Sequence, residues 1–199
     1  MKIDRMVRRL ELPLAALLFI AGSAYLLKMA YMPVLLVTVC GALMLFAFYF
    51  YLRLRYQIKI PLIFIVMLIC AIEVDGLGNY FRMYGQRFGP IMYDEFSHLA
   101  VQILTTPLLV WILREAINRF GYRLPLGLIT FFSITTVFSI SAFYEVIELW
   151  DELYFRGQRI WSTHDAPNDL QWDLLGIITG AIIAHFVLKR AVQLRPDAP

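Results

Sequence analysis

The chain has 199 residues, of which 60% are hydrophobic and 17% charged. Its mean hydropathy is +0.68. A soluble domain of this size carries more charge and less apolar surface, so the composition excludes an ordinary cytosolic enzyme and predicts an integral membrane protein. The net charge of +3 is too small to argue for a nucleic-acid partner. Cys40 and Cys70 both lie in apolar runs. They read as small hydrophobes, with no disulfide framework.

A helix needs about 20 apolar residues to cross a hydrocarbon layer of roughly 30 Å. On that criterion the chain reads as a single transmembrane domain, 1–199, with spans at about 12–31, 33–53, 60–80, 92–116, 124–152 and 169–191. The first resembles a secretory signal, but its apolar run continues past Ala24, so it reads as a retained span. Pro33, Pro61, Pro90 and Pro125 stand near the starts of spans, where a missing N–H costs nothing. Thirteen of the eighteen Lys and Arg residues fall on the side that carries both termini. The positive-inside bias then places both termini in the cytoplasm. The fold class expected is therefore an all-α integral membrane bundle of about six transmembrane helices, in a bacterial inner membrane, with both termini cytoplasmic.

This topology uses basic residues only, yet it brings acidic helix ends to one face. "YDEFSH" puts Asp94 and His98 at the outer end of the fourth span. "FYEVIELWDELY" puts Glu145 and Glu148 at the outer end of the fifth. "NDLQWDLLGIITGAIIA" opens the sixth with Asp169 and Asp173. The i, i+3 and i, i+4 spacings put each pair on one helix face. Asp173 shares its face with Gly176 and Gly180, small residues that mark close helix contact in lipid. Asp75 and Asn79 form a further polar pair near the end of the third span.

Bland readings compete. Asp94 and Asp169 would suit helix N-termini, where the dipole favours acids, with Asn168 as a cap. Asp151, Glu152, His164 and Asp165 read as solvated, and Gln102 and His185 as packing residues. Glu145 and Glu148 stand where the dipole disfavours them, so that explanation is weakest there. Their convergence with the other pairs favours one shared site. Asp94, His98, Glu145, Glu148, Asp169 and Asp173 are then candidate ligands of a divalent metal ion, since carboxylates and imidazole on facing helices build such sites.

These three motifs, with "VDGLGNYF" before them, resemble the DUF2238 family of uncharacterised bacterial membrane proteins, the YjdF-like proteins. They show a looser likeness to VanZ-like proteins. The DUF2238 resemblance implies the same six residues, and Asp75 and Asn79 less directly. It brings no established activity.

Three functional readings follow. In the first, a metal-dependent hydrolase or transferase acts on a lipid-linked substrate, with Glu145 or Glu148 as catalytic base. In the second, the chain is a cation or proton transporter, which requires polar residues continuing across the membrane. In the third, it is an accessory subunit with an acidic docking patch. No Gly-rich phosphate loop, GxSxG or HExxH occurs, which disfavours nucleotide, serine-hydrolase and zincin chemistry.

Overall fold

The computed structural model describes residues 47, 50–156, 160 and 162–193. The first two expected spans lie almost wholly outside these residues, as does Cys40. The chain divides into two compact units, Met1–Phe81 and Arg82–Pro199.

In the first unit, residues 50–56 are helical. Gln57 then turns the chain with φ 55°. Its side-chain amide donates to the Leu54 carbonyl (3.2 Å), and the Ile58 N–H donates to the Leu52 carbonyl (3.1 Å). Helix α1, Leu62–Tyr80, starts directly after Pro61, whose carbonyl accepts the Phe64 N–H. It carries Asp75 and Asn79 near its end.

The second unit opens with a two-residue hairpin, β1 (Arg87–Phe88) and β2 (Ile91–Met92). Its turn is made by Gly89 and Pro90, with Gly89 at φ +68°, the left-handed conformation such turns require. The hairpin is pinned by rings. Phe88 packs on Phe96 with centroids 4.6 Å apart, and Tyr93 meets Phe88 edge-on at 5.6 Å and Tyr84 at 5.4 Å. Three long helices follow: α2 (Tyr93–Arg119), α3 (Leu126–Phe155) and α4 (Asp165–Gln193). Among the described residues, these three are long and apolar enough to cross a membrane. At 1.5 Å per residue each extends about 40 Å, beyond the hydrocarbon layer.

The sequence places the helix boundaries within a few residues, with one informative difference. Helix α4 begins at Asp165, one turn before the expected Asp169. Asp165 reads as solvated from the sequence, but the helix already includes it; Pro167 falls in the first turn, where its missing N–H has no partner in any case. Asn168 is therefore not a cap. It is inside the helix, and its amide reaches Glu95 on α2 (3.1 Å).

The helices α2 and α4 run parallel and make the most extensive contact of the unit, with α3 antiparallel to both. The reason is local. A Cβ on Gly176 would lie 2.5 Å from the Leu99 carbonyl oxygen and 2.8 Å from Gln102 Cβ. One on Gly180 would lie 3.0 Å from the Ile103 carbonyl oxygen. Pro107 in α2 cannot donate to that same carbonyl, and the bare Gly180 backbone packs on it. Beyond this seam lies an apolar cluster of Val110, Ala181, Ala184 and Leu188, flanked by Trp111, Leu126 and Ile134. Large apolar side chains such as Phe131, Phe143, Ile182 and Phe186 point outward, as a lipid-facing surface should. Cys70 on α1 is also exposed.

A Gly176→Val variant should be less stable by about 1–3 kcal/mol through overpacking at the seam. Gly127→Ala, where a Cβ meets open space, should be neutral or slightly stabilising. Thermal unfolding of both in detergent, followed by circular dichroism, compares them directly.

Candidate functional site

The buried face of α3 comprises Ile129, Ser133, Val137, Ser141, Glu145, Glu148 and Asp151. Their steps of four and three residues follow the helix period. The apolar members face the bundle's apolar half, and the acids crowd into its other end. Helix α2 brings Asp94 and His98 to that end from its first two turns. Helix α4 brings Asp169 and Asp173, each only 2% exposed.

His98 is the centre of the arrangement. Its Nδ1 lies 3.1 Å from Asp173 Oδ1, so the ring donates there and the carboxylate fixes its orientation. Its Nε2 lies 3.8 Å from Asp94 Oδ1 and 3.8 Å from Asp169 Oδ2. Both distances are too long for a hydrogen bond. Donor atoms of Asp94, His98 and Asp169 lie within 4.8 Å of one another, as do those of His98, Glu145 and Asp173. Glu148 interacts electrostatically with Glu145 and with Asp169. All six expected residues therefore meet at one end of the unit. Asp75 and Asn79 lie on α1 in the first unit, and Asp75 belongs to neither donor group.

Several residues were not expected here. Gln102, read as packing, donates its amide to Ser141 Oγ (2.8 Å) and to Asp173 Oδ1 (3.1 Å). It thus ties all three helices to the carboxylate that holds His98. Its position one turn after His98, and that of Ser141 one turn before Glu145, were available as signals. Asp151 and Glu152, read as solvated, each bury a carboxylate oxygen with no hydrogen-bond partner among the described residues. Helix α3 runs on to Phe155, so Asp151 stays on the packed face. Glu95 closes the top of the α2–α4 seam, accepting from the Met92 N–H (2.9 Å) and from Asn168. His185, read as packing, pairs with Thr130 Oγ1 at 3.1 Å.

The residues fit a hard divalent cation. An ion with bonds of about 2.1 Å spans two donors up to about 4.2 Å apart, which accommodates both 3.8 Å gaps at Nε2. Asp169 Oδ1 and Glu145 Oε1 are buried without hydrogen-bond partners among the described residues, a costly state for a carboxylate unless a cation or proton answers it. A carboxylate on the far nitrogen of a ligating histidine is the usual outer support of such sites. Oxygen donors with one imidazole suit Mg²⁺, Mn²⁺, Fe²⁺ or Zn²⁺.

The family model described as a predicted membrane protein, DUF2238, matches residues 10–193, and the chain belongs to that family. No curated protein and no solved structure matches the chain. The likeness to VanZ-like proteins finds no support in these comparisons.

Two substitutions at the site should act in opposite directions in chelator-treated protein. Gln102→Leu removes two buried hydrogen bonds and should destabilise by about 1–3 kcal/mol. Glu145→Gln removes one of two like charges at i, i+3 and should stabilise by about 0.5 kcal/mol or more. Thermal melts in the presence of a strong chelator give both signs.

Proposed function

We propose that this DUF2238 protein is a membrane metalloenzyme of the hydrolase or transferase class, acting on a lipid-linked substrate at the outer face of a bacterial inner membrane. In this reading the chain forms a single transmembrane domain of six spans, with both termini cytoplasmic. The observation that carries it is the convergence of Asp94, His98 and Asp169 around one imidazole nitrogen at distances that suit an ion and not a hydrogen bond.

Asp94, His98 and Asp169 would hold the ion, with Asp173 keeping the His98 ring in register. A bound divalent cation supplies Lewis acidity toward a phosphoryl or carbonyl oxygen. Glu145 and Glu148 lie on the facing helix, and one of them takes the proton of the attacking hydroxyl group as general base. Gln102 and Ser141 keep Asp173 in place. The seam of α2 on α4 excludes water from one side of the site, which strengthens every charge interaction within it.

Depth supports a lipid-borne substrate. Glu148 lies seven residues before the end of α3 and Asp94 is the second residue of α2. Glu145, the deepest of the six, is ten residues from the end of α3, so the cluster lies within about 15 Å of the helix ends along the axis, from the headgroups into the upper acyl chains. Beside it is an open cleft of about 370 Å³ lined by Glu95, Asn168, Gln171, Trp172 and Leu175. Its lining joins the polar Glu95, Asn168 and Gln171 to the apolar surfaces of Trp172 and Leu175, a mixed surface that suits a molecule with a polar head and a lipid tail.

A transporter is the second reading. Thr106 and Ser133 are fully buried, and Thr130 pairs with His185 deeper in the bundle. That polar line carries no acid, and Val110, Ala181, Ala184 and Leu188 pack the same half. A docking patch has less support, because Glu145, Glu148, Asp169 and Asp173 are buried.

Metal content by mass spectrometry on detergent-purified protein is the primary test. Stoichiometric metal in the wild type, falling at least tenfold in His98→Ala and Asp169→Asn, is the expected result. Absence of metal after incubation with Mn²⁺, Zn²⁺ and Fe²⁺ would sink the metalloenzyme and turn attention to cation or proton flux in proteoliposomes.

A further inference from the structure

Two donor groups share His98, and they do not share anything else. The first is Asp94, His98 and Asp169; the second is His98, Glu145 and Asp173. The two nitrogens of the ring divide between them. Nε2 faces Asp94 and Asp169, each at 3.8 Å, while Nδ1 is engaged by Asp173 at 3.1 Å. An ion at the first group therefore leaves Glu145 and Asp173 on the other side of the ring.

We infer that the site holds two divalent cations, one at Asp94, His98 and Asp169, and a second between Glu145 and Asp173 with Glu148 beside it. The inference rests on the reading of the first group as a metal site and adds to it.

Three observations carry the second ion. Glu145 is 8% exposed and Asp173 2%, so both are taken out of water. Among the described residues Glu145 Oε1 has no hydrogen-bond partner, although a donor amide, that of Gln102, reaches the neighbouring Asp173 and Ser141. The fold thus spends its amide on Asp173 and leaves the Glu145 oxygen open. Charge gives the third. Asp94, Glu145, Glu148, Asp169 and Asp173 crowd around one imidazole, and among the described residues Asp169 and Asp173 are ion-paired with His98 alone. An ion at the first group answers the charges there, and a second between Glu145 and Asp173 answers theirs.

The division also assigns the two glutamates. Glu145 becomes a ligand, and Glu148 remains as the general base.

The test is a Mn²⁺ titration of full-length, chelator-stripped protein in detergent, with bound metal counted after desalting. Size-exclusion profiles and circular dichroism report folding of each variant. The wild type should retain two Mn²⁺ per chain. Glu145→Gln should retain one, held at the first group. Asp94→Asn should also retain one, held at the second. Glu148→Gln should still retain two. One Mn²⁺ in the wild type, unchanged in Glu145→Gln, would overturn the second ion and leave the first site standing. Loss of both ions in a folded Glu145→Gln variant would overturn the division into two groups. No Mn²⁺ in the wild type, with none of the other metals bound either, would overturn the metal reading as a whole.

Discussion

The contact of α4 on α2 through bare glycine backbone is the constraint on which the rest of this unit depends. In lipid there is little hydrophobic gain from bringing two helices together, so association relies on close packing and polar contacts. Gly176 and Gly180 let the helix axes approach until α4 backbone lies against the Leu99 and Ile103 carbonyls. Only at that separation does Asp173, less than one turn before Gly176, reach both His98 and Gln102. Larger residues at the glycines would push the carboxylates away from the imidazole before any site residue was altered.

That seam also sets the balance between stability and site. Ionised side chains within a span cost about 2.5–3.5 kcal/mol each on insertion scales. This chain buries Glu145, Glu148, Asp169 and Asp173 within one end of a small bundle. Part of the cost is offset by position: Asp94 stands in the first turn of α2, where the helix dipole favours an acid. Another part is offset by Gln102, Ser141 and His98 around Asp173. The apolar cluster of Val110, Ala181, Ala184 and Leu188 anchors the opposite half.

Much of this was legible because helices write their faces into spacing. The pairs Asp94/His98 and Asp169/Asp173, and the alignment of Asp173 with Gly176 and Gly180, follow from a period of 3.6 residues and need no tertiary information. Gln102 and Ser141 escaped for a physical reason. An uncharged amide or hydroxyl in an apolar run carries no charge signal, and its partners lie on other helices at a rotation that spacing alone does not fix. Asp151 was misread because it stands at the very end of the expected span, 124–152, where spacing does not show that packing against the other helices continues. The start of α4 differs because the expected span follows the apolar run, whereas the helix extends one turn into the polar segment before it, where Pro167 is compatible with a first helical turn. The i, i+4 spacing of Asp75 and Asn79 was visible in the same way as the others, yet these two residues stand in a different unit.

The glycine spacing has a consequence for how this unit avoids misassembly. Gly176 and Gly180 are four residues apart, so a slide of α4 by about one turn, roughly 6 Å, would drop Gly180 into the socket of Gly176. The seam by itself is therefore nearly degenerate in register. A slid helix would set Ala184 against the Ile103 carbonyl, where a Cβ is already tight at 3.0 Å. It would also carry Asp173 away from the Nδ1 of His98 and strand the Gln102 amide. Buried polar pairs can specify alignment where apolar packing does not. In this bundle the acidic end is thus also a key: it admits one alignment of two smooth helices and makes the neighbouring one leave charges unanswered in lipid.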